Sequence, residues 1–192
     1  MENAINMRNL KTKTFEQAPE FHIQKWLNTQ DALSLEKLKG KVVAAYAFQM
    51  LCPGCVEYSI PQARQIHSLF SPNDVAVLGL HTVFEHHNAM GEESLRAFIH
   101  EYQIDFPVGI DMPSSSDRDP IPKTMRTYNM GGTPTLLLID RQGHLRKQAM
   151  GHITDMLVGA ELMALIKEEN SIPGTTENLL HEKTICTPEG CI

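Results

Sequence analysis

The heptapeptide Val42-Val43-Ala44-Ala45-Tyr46-Ala47-Phe48 runs, after Gln49 and Met50, into Leu51-Cys52-Pro53-Gly54-Cys55. An apolar run of this length, without polar alternation, reads as a strand buried on both faces, as in a parallel sheet. The cysteines then fall just past the strand's carboxyl end. Proline after Cys52 fits the first position of a helix, where its missing N–H costs nothing. Two cysteines two residues apart serve as a redox pair, as half of a metal site, or as a peroxide-reducing thiol with a companion. The spacing leaves all three open.

Outward from this point the chain alternates between strand and helix signals. Val56, Ile60, Ala63, Ile66 and Phe70 recur at helical spacing, with Pro61 expected to kink the helix. Val75 to Leu80 is a second buried strand. Leu95, Phe98, Ile99 and Tyr102 share one helical face. Residues 111–122, rich in proline and serine, read as an inserted loop, followed by a short helix from Lys123 to Tyr128. Thr135 to Ile139 is a third strand, and Asp140 to Gly143 is a hairpin turn returning through His144 to Met150. Thr154 is a candidate N-cap for a last helix with Val158, Leu162, Leu165 and Ile166 inward, ended by Asn170. The expected order is β-α-β-α-β-β-α. It divides the chain into an N-terminal extension (1–18), one domain (19–170) and a polar tail (171–192).

The bulk composition sets limits. With 192 residues, 42% hydrophobic and 21% charged, the chain has material for a core without disulfide staples. A net charge of −6 without basic clusters argues against nucleic acid or an anionic membrane as partner. No stretch has the roughly 18 apolar residues of a membrane span, and the N-terminus lacks an apolar signal-like core, so the expectation is a cytoplasmic protein. Four cysteines, Cys52, Cys55, Cys186 and Cys191, are too few for a disulfide scaffold; close pairs in a reducing compartment point to catalysis or metal.

Disulfide exchange needs one thiol that is ionised near neutral pH. A free cysteine has a pKa of about 8.5, and a helix N-terminus lowers it. Cys52, at the helix start, is therefore the candidate nucleophile, and Cys55, one turn in, the candidate resolving thiol. The second element is Gly131-Gly132-Thr133-Pro134-Thr135, ahead of the third strand. Thr133-Pro134 is a candidate cis peptide bond, whose neighbouring backbone is free to pair with an extended substrate segment.

Strand, Cys-Pro-x-Cys, kinked helix and then Thr-Pro before a strand ending in Ile-Asp and a glycine turn resemble the thioredoxin superfamily. The segments "LKGKVV" and "GTPTLLLIDRQG" resemble its TlpA-like redoxin branch, which overlaps the AhpC/TSA peroxiredoxins. The resemblance spans Pro19 to Glu169. It implies an α/β thioredoxin fold, a central mixed sheet flanked by helices, and a thiol–disulfide oxidoreductase without bound cofactor or metal. Its partners would be protein or small-molecule thiols and disulfides and an electron-donating dithiol protein, with Thr133 and Pro134 at the substrate. Two positions depart from the pattern: Leu51 replaces the usual tryptophan, and Tyr46 replaces a buried acid that accepts the proton of the second cysteine.

Two alternatives stand beside this reading. Met-Leu-Cys-Pro-Gly-Cys-Val also resembles the peroxidatic segment of bacterioferritin-comigratory-type peroxiredoxins, which would make Cys55 peroxidatic. There, however, the family's threonine falls on Cys52, its proline falls on Phe48, and its arginine has no counterpart. A zinc-binding or non-catalytic interaction module is the other alternative, with Cys52, Cys55, Cys186 and Cys191 as thiolate ligands. The tail pair, Cys186 and Cys191 in Cys-Thr-Pro-Glu-Gly-Cys, is either a second redox dithiol or an incidental feature of a polar tail. His81 should end the second strand near the active-site edge, either tuning Cys52 or packing. Met50, Met125 and Met130 read as core filler.

Overall fold

A computed structural model describes residues 15–116 and 118–168, together with the backbone of residues 186–187 and 190–191. Parts of the expected N-terminal extension and tail, including the helix end at Asn170, lie outside the described residues.

Six strands form one mixed sheet in the order β1-β4-β3-β2-β5-β6. They are β1 (Ile23–Leu27), β2 (Val42–Phe48), β3 (Val75–His81), β4 (Val108–Asp111), β5 (Thr135–Ile139) and β6 (Leu145–Met150). β2 runs parallel to β3 and antiparallel to β5. β3 is parallel to β4, while β1 and β6 pair antiparallel at the two edges. The helices are α1 (Ile60–Leu69), α2 (Glu92–Glu101), α3 (Lys123–Thr127) and α4 (Asp155–Lys167).

The all-apolar β2 is buried along its whole length, and side chains alternate between the faces of a strand. Val42, Ala44, Tyr46 and Phe48 join the cluster holding Ala63 and Ile66 of α1, Leu95 and Ile99 of α2, and Val158, Leu162 and Leu165 of α4. Val43, Ala45 and Ala47 join the cluster on the other face with Leu78, Leu80, Leu137, Met125 and Tyr128. Room for the aromatic residues comes from Gly79. A Cβ there would lie 3.1 Å from the Phe48 ring and 3.3 Å from the Phe106 ring.

Two strands were not expected. β1 lies in the mixed lead-in and β4 is four residues long; neither carries a clean period, and β1 is held by β4, which pairs in turn with β3. Asp111, expected in the loop, ends β4. Its buried carboxylate accepts the Thr124 and Met125 N–H groups at 2.8 and 3.1 Å and the Thr82 hydroxyl at 2.8 Å. It thereby caps α3 and closes the loop beneath it. The hairpin after β5 turns where expected, and residues 16–18 are tied to it by Leu145 N–H to Glu16 O and Ala18 N–H to Gly143 O, both 2.9 Å.

The expected kink takes a specific form. The helix enters at Pro53, widens into a π-helical turn at Cys55–Ser59 and continues as α1. Pro61 has no N–H to return, and the Ile60 N–H reaches back to the Cys55 carbonyl. Among the described residues no helix is long and apolar enough to cross a membrane.

His81 ends β3 at 2% exposure, its ring 5.3 Å from that of Phe48. Burial pushes it down to about 4, so it is neutral in the fold. The unfolded chain protonates it near pH 6.5, so stability carried by neutral His81 is present above that value and lost as pH falls towards 4. Between pH 7 and 4, denaturant unfolding of the wild type should lose about 3 kcal/mol more than that of His81→Leu. Parallel losses in the two proteins would refute this.

Candidate active site

The carboxyl end of β2 is fixed before the cysteines begin. Thr82 N–H donates to Phe48 O at 3.1 Å, and the buried Gln49 side chain accepts the Phe84 N–H at 3.2 Å. Cys52 N–H then donates to Gln49 O at 3.2 Å, and Cys52 O accepts the N–H groups of Cys55 (3.0 Å) and Val56 (3.2 Å). This first turn leaves Cys52 half-buried and Cys55 at 0% exposure, both as free thiols.

Across from them lies the loop before β5. The Thr133–Pro134 peptide bond is cis, and the Cys52 thiol donates to the Thr133 carbonyl at 3.4 Å. Gly54 packs on this loop, where an added Cβ would stand 3.4 Å from Pro134 Cδ. Gly131 and Gly132 carry no side chains of their own, and Met150 Sδ lies over them, 3.4 Å from a Cβ built at either glycine.

The two thiols differ sharply. For Cys52, burial acts upward, but hydrogen bonds from the Cys55 thiol, the Thr133 side chain and the Cys55 and Gly54 N–H groups carry it below the ordinary thiol range. For Cys55, deeper burial, opposed by a Gln49 backbone hydrogen bond and reinforced by the neighbouring Cys52, pushes the thiol up to about 12. One sulfur is an accessible, readily ionised nucleophile. The other is an enclosed thiol that holds its proton while Cys52 is charged.

The family model described as the AhpC/TSA family matches residues 15–148. The chain belongs to the AhpC/TSA family.

Solved structures similar to this AhpC/TSA chain include a thioredoxin-like superfamily protein, 52% identical with a TM-score of 0.76, covering 79% of this chain and 97% of that one. A thiol-disulfide isomerase from Corynebacterium glutamicum is 45% identical with a TM-score of 0.75, covering 78% and 96%. The thiol-disulfide oxidoreductase ResA of Halalkalibacterium halodurans is 26% identical over 140 residues, 72% of this chain and 70% of that protein. The ResA of Bacillus cereus is matched over 62% of its own length. The mixed six-stranded sheet with flanking helices is an α/β thioredoxin fold.

Of the residues singled out from the sequence of this AhpC/TSA chain, the fold brings together Cys52, Cys55, Thr133 and Pro134. His81 lies among neither thiol's hydrogen-bond partners; it lines a recess of about 870 Å³ with Ile110, Asp111 and Glu92, and its Nε2 has no hydrogen-bond partner among the described residues. Glu57 is exposed on the π-turn. The side chains of Cys186 and Cys191 lie outside the described residues, and among those described no three His, Cys, Asp or Glu residues gather as a metal site. Sequence reading missed Gln62. It accepts the Tyr46 hydroxyl at 3.0 Å and donates to Ile153 O at 2.8 Å and Asp155 Oδ1 at 2.7 Å. This polar chain occupies the region where Tyr46 replaces an acid, and burial holds the Tyr46 phenol well above its usual range. A buried glutamine at a helical position carries no sequence signal separating it from a surface one.

Iodoacetamide should label Cys52 at pH 7 at least tenfold faster than Cys55, with a midpoint below the ordinary thiol value of about 8.5. Thr133→Val removes a hydrogen bond to the sulfur and should move that midpoint upward. Equal labelling of both cysteines by peptide mass spectrometry would contradict the asymmetry.

Proposed function

We propose that this protein is a thiol–disulfide oxidoreductase in which Cys52 is the nucleophile and Cys55 the resolving thiol, reducing protein disulfides in the cytoplasm. The observation that carries the reading is the asymmetry of the pair: an accessible thiol with lowered pKa beside an enclosed one pushed up to about 12. The thioredoxin-like and thiol-disulfide isomerase structures that the chain resembles support an oxidoreductase of thioredoxin type.

The steps follow from the geometry. Cys52 thiolate attacks one sulfur of a substrate disulfide, forming a mixed disulfide and releasing the other sulfur as a thiolate. Bonding removes the charge on Cys52, and with it one of the causes that hold the Cys55 proton. Cys55 passes that proton to the departing sulfur and attacks Cys52. The substrate leaves as one thiol and one thiolate, which takes its proton from water, two electrons richer, and the enzyme keeps a Cys52–Cys55 disulfide. An extended substrate segment would run beside Gly131 and Gly132, against the Met150 side chain. Thr133 and Pro134 border that segment, and a donor dithiol restores the pair.

The peroxidase alternative needs Cys55 ionised and open to peroxide, and its burial opposes both.

Cys52→Ser should abolish reduction of a disulfide substrate, lowering turnover at least a thousandfold. Cys55→Ser should accumulate a mixed disulfide between Cys52 and substrate, visible by mass spectrometry and released by dithiothreitol. Peroxide turnover that survives Cys52→Ser, with sulfenic acid on Cys55, would defeat the proposal. A reduction potential near the thioredoxin value of about −270 mV supports the reducing direction, and one near −120 mV contradicts it.

A further inference from the structure

Every cysteine of the chain falls in one of two close pairs, and none lies between Cys55 and Cys186. The mechanism above uses only the first pair. The backbone places the second in a definite relation. β7 (Cys186–Thr187) and β8 (Gly190–Cys191) pair antiparallel, with Cys186 opposite Cys191 and Thr187 opposite Gly190. Residues directly opposite in an antiparallel ladder have Cα atoms about 4.5–5.5 Å apart, inside the range of about 4.4–6.8 Å that a disulfide bridges.

We propose that Cys186 and Cys191 form a cross-strand redox pair that exchanges directly with Cys52–Cys55 of the same chain, relaying electrons between the active site and an external dithiol donor. The proposal rests on the disulfide-exchange reading of Cys52–Cys55. A bridge over so short a loop constrains little chain in the reduced state, which makes it an exchange partner rather than a structural staple.

Reach is sufficient. Glu168, at the end of α4, bonds Arg146 at the start of β6. β6 runs parallel to β2 through their shared neighbour β5, so α4 ends at the opposite edge of the sheet from Cys52. The distance to cover is roughly 25 Å by strand rise. Residues 168–185 separate α4 from Cys186. A chain of that length can span at most about 60 Å, more than twice the distance to cover.

The surface around Cys52 suits this occupant. Leu51, next to Cys52 in the chain, is 58% exposed, and Met150, against the glycines of the Thr133–Pro134 loop, is 65% exposed. The tail sequence carries Ile185 and Ile192 immediately outside its two cysteines.

The exchange balances. After substrate turnover the site holds a Cys52–Cys55 disulfide. A tail thiolate attacks Cys52, Cys55 leaves and takes up the proton lost from that tail thiol, and the second tail thiol loses its proton to water and displaces Cys52 as the thiolate. Two electrons pass to the active site. The tail disulfide formed is reduced by the external dithiol.

The test uses the full-length chain with all thiols reduced. One equivalent of a model peptide disulfide is added, and alkylation with mass spectrometry follows where the disulfide resides. It should appear first at Cys52–Cys55 and pass to Cys186–Cys191 at a rate independent of protein concentration. In Cys52→Ser the tail should oxidise at least tenfold more slowly. The double variant Cys55→Ser/Cys191→Ser, treated with oxidised glutathione, should yield an intramolecular peptide linking Cys52 to Cys186. A disulfide that stays at Cys52–Cys55, or tail oxidation as fast in Cys52→Ser as in wild type, overturns the relay and leaves the exchange reading standing. Absence of any Cys52–Cys55 disulfide overturns both.

Discussion

Placement of the site depends on β2. This strand is covered on both faces and hydrogen-bonded along both edges, so neither its position nor its end can shift without opening two core clusters. Whatever follows Phe48 therefore starts from a fixed point. The Phe48 carbonyl is held by Thr82 and the Gln49 carbonyl by the Cys52 N–H. Precision at the sulfur is inherited from a strand buried along its length and paired on both edges, and a reactive group on such an element needs little reorganisation when it reacts.

The second control is electrostatic. Two identical side chains three positions apart are given opposite tendencies because one lies at the rim and the other inside. The rim thiol meets N–H groups at a helix start, and the inner thiol meets apolar packing from the same cluster that fills the space under α1. Charge on one raises the other, so the pair titrates as a unit. The π-turn at Cys55–Ser59 sits within this arrangement. It resolves the missing Pro61 N–H inside the active-site helix rather than beyond it.

Legibility in the sequence varied with the kind of signal. Val42–Phe48, Val75–Leu80 and Thr135–Ile139 are continuous apolar runs, and each is a strand. The α2 and α4 faces are periodic, and Leu95, Ile99, Val158 and Leu162 are buried as their spacing requires. β1 and β4 were hidden because an edge strand and its short partner alternate weakly and are specified by pairing with each other. The cysteine pair and Thr133-Pro134 were legible because rare residue types at fixed spacing stand out. Gln62 and Gln49 were not, because an amide signals its role only through what it touches once buried. Tyr46 was visible as a departure from a buried acid, yet its hydroxyl partner became apparent only when α1 was laid against β2.

By itself, then, the sequence determined the local elements with strong periodicity, the residues that carry the sulfur chemistry, and the presence of a second cysteine pair. Periodicity and residue type are properties of neighbours along the chain. Tertiary structure decided what depends on neighbours in space. It set Cys52 against a carbonyl 81 positions away, divided two like thiols into an ionisable one and an enclosed one, and left His81, at the end of β3 beside Phe48, outside the interactions that set either thiol's charge. Burial and hydrogen bonding fix the energy of a charged group, and both are set by residues that the chain brings together only when it folds.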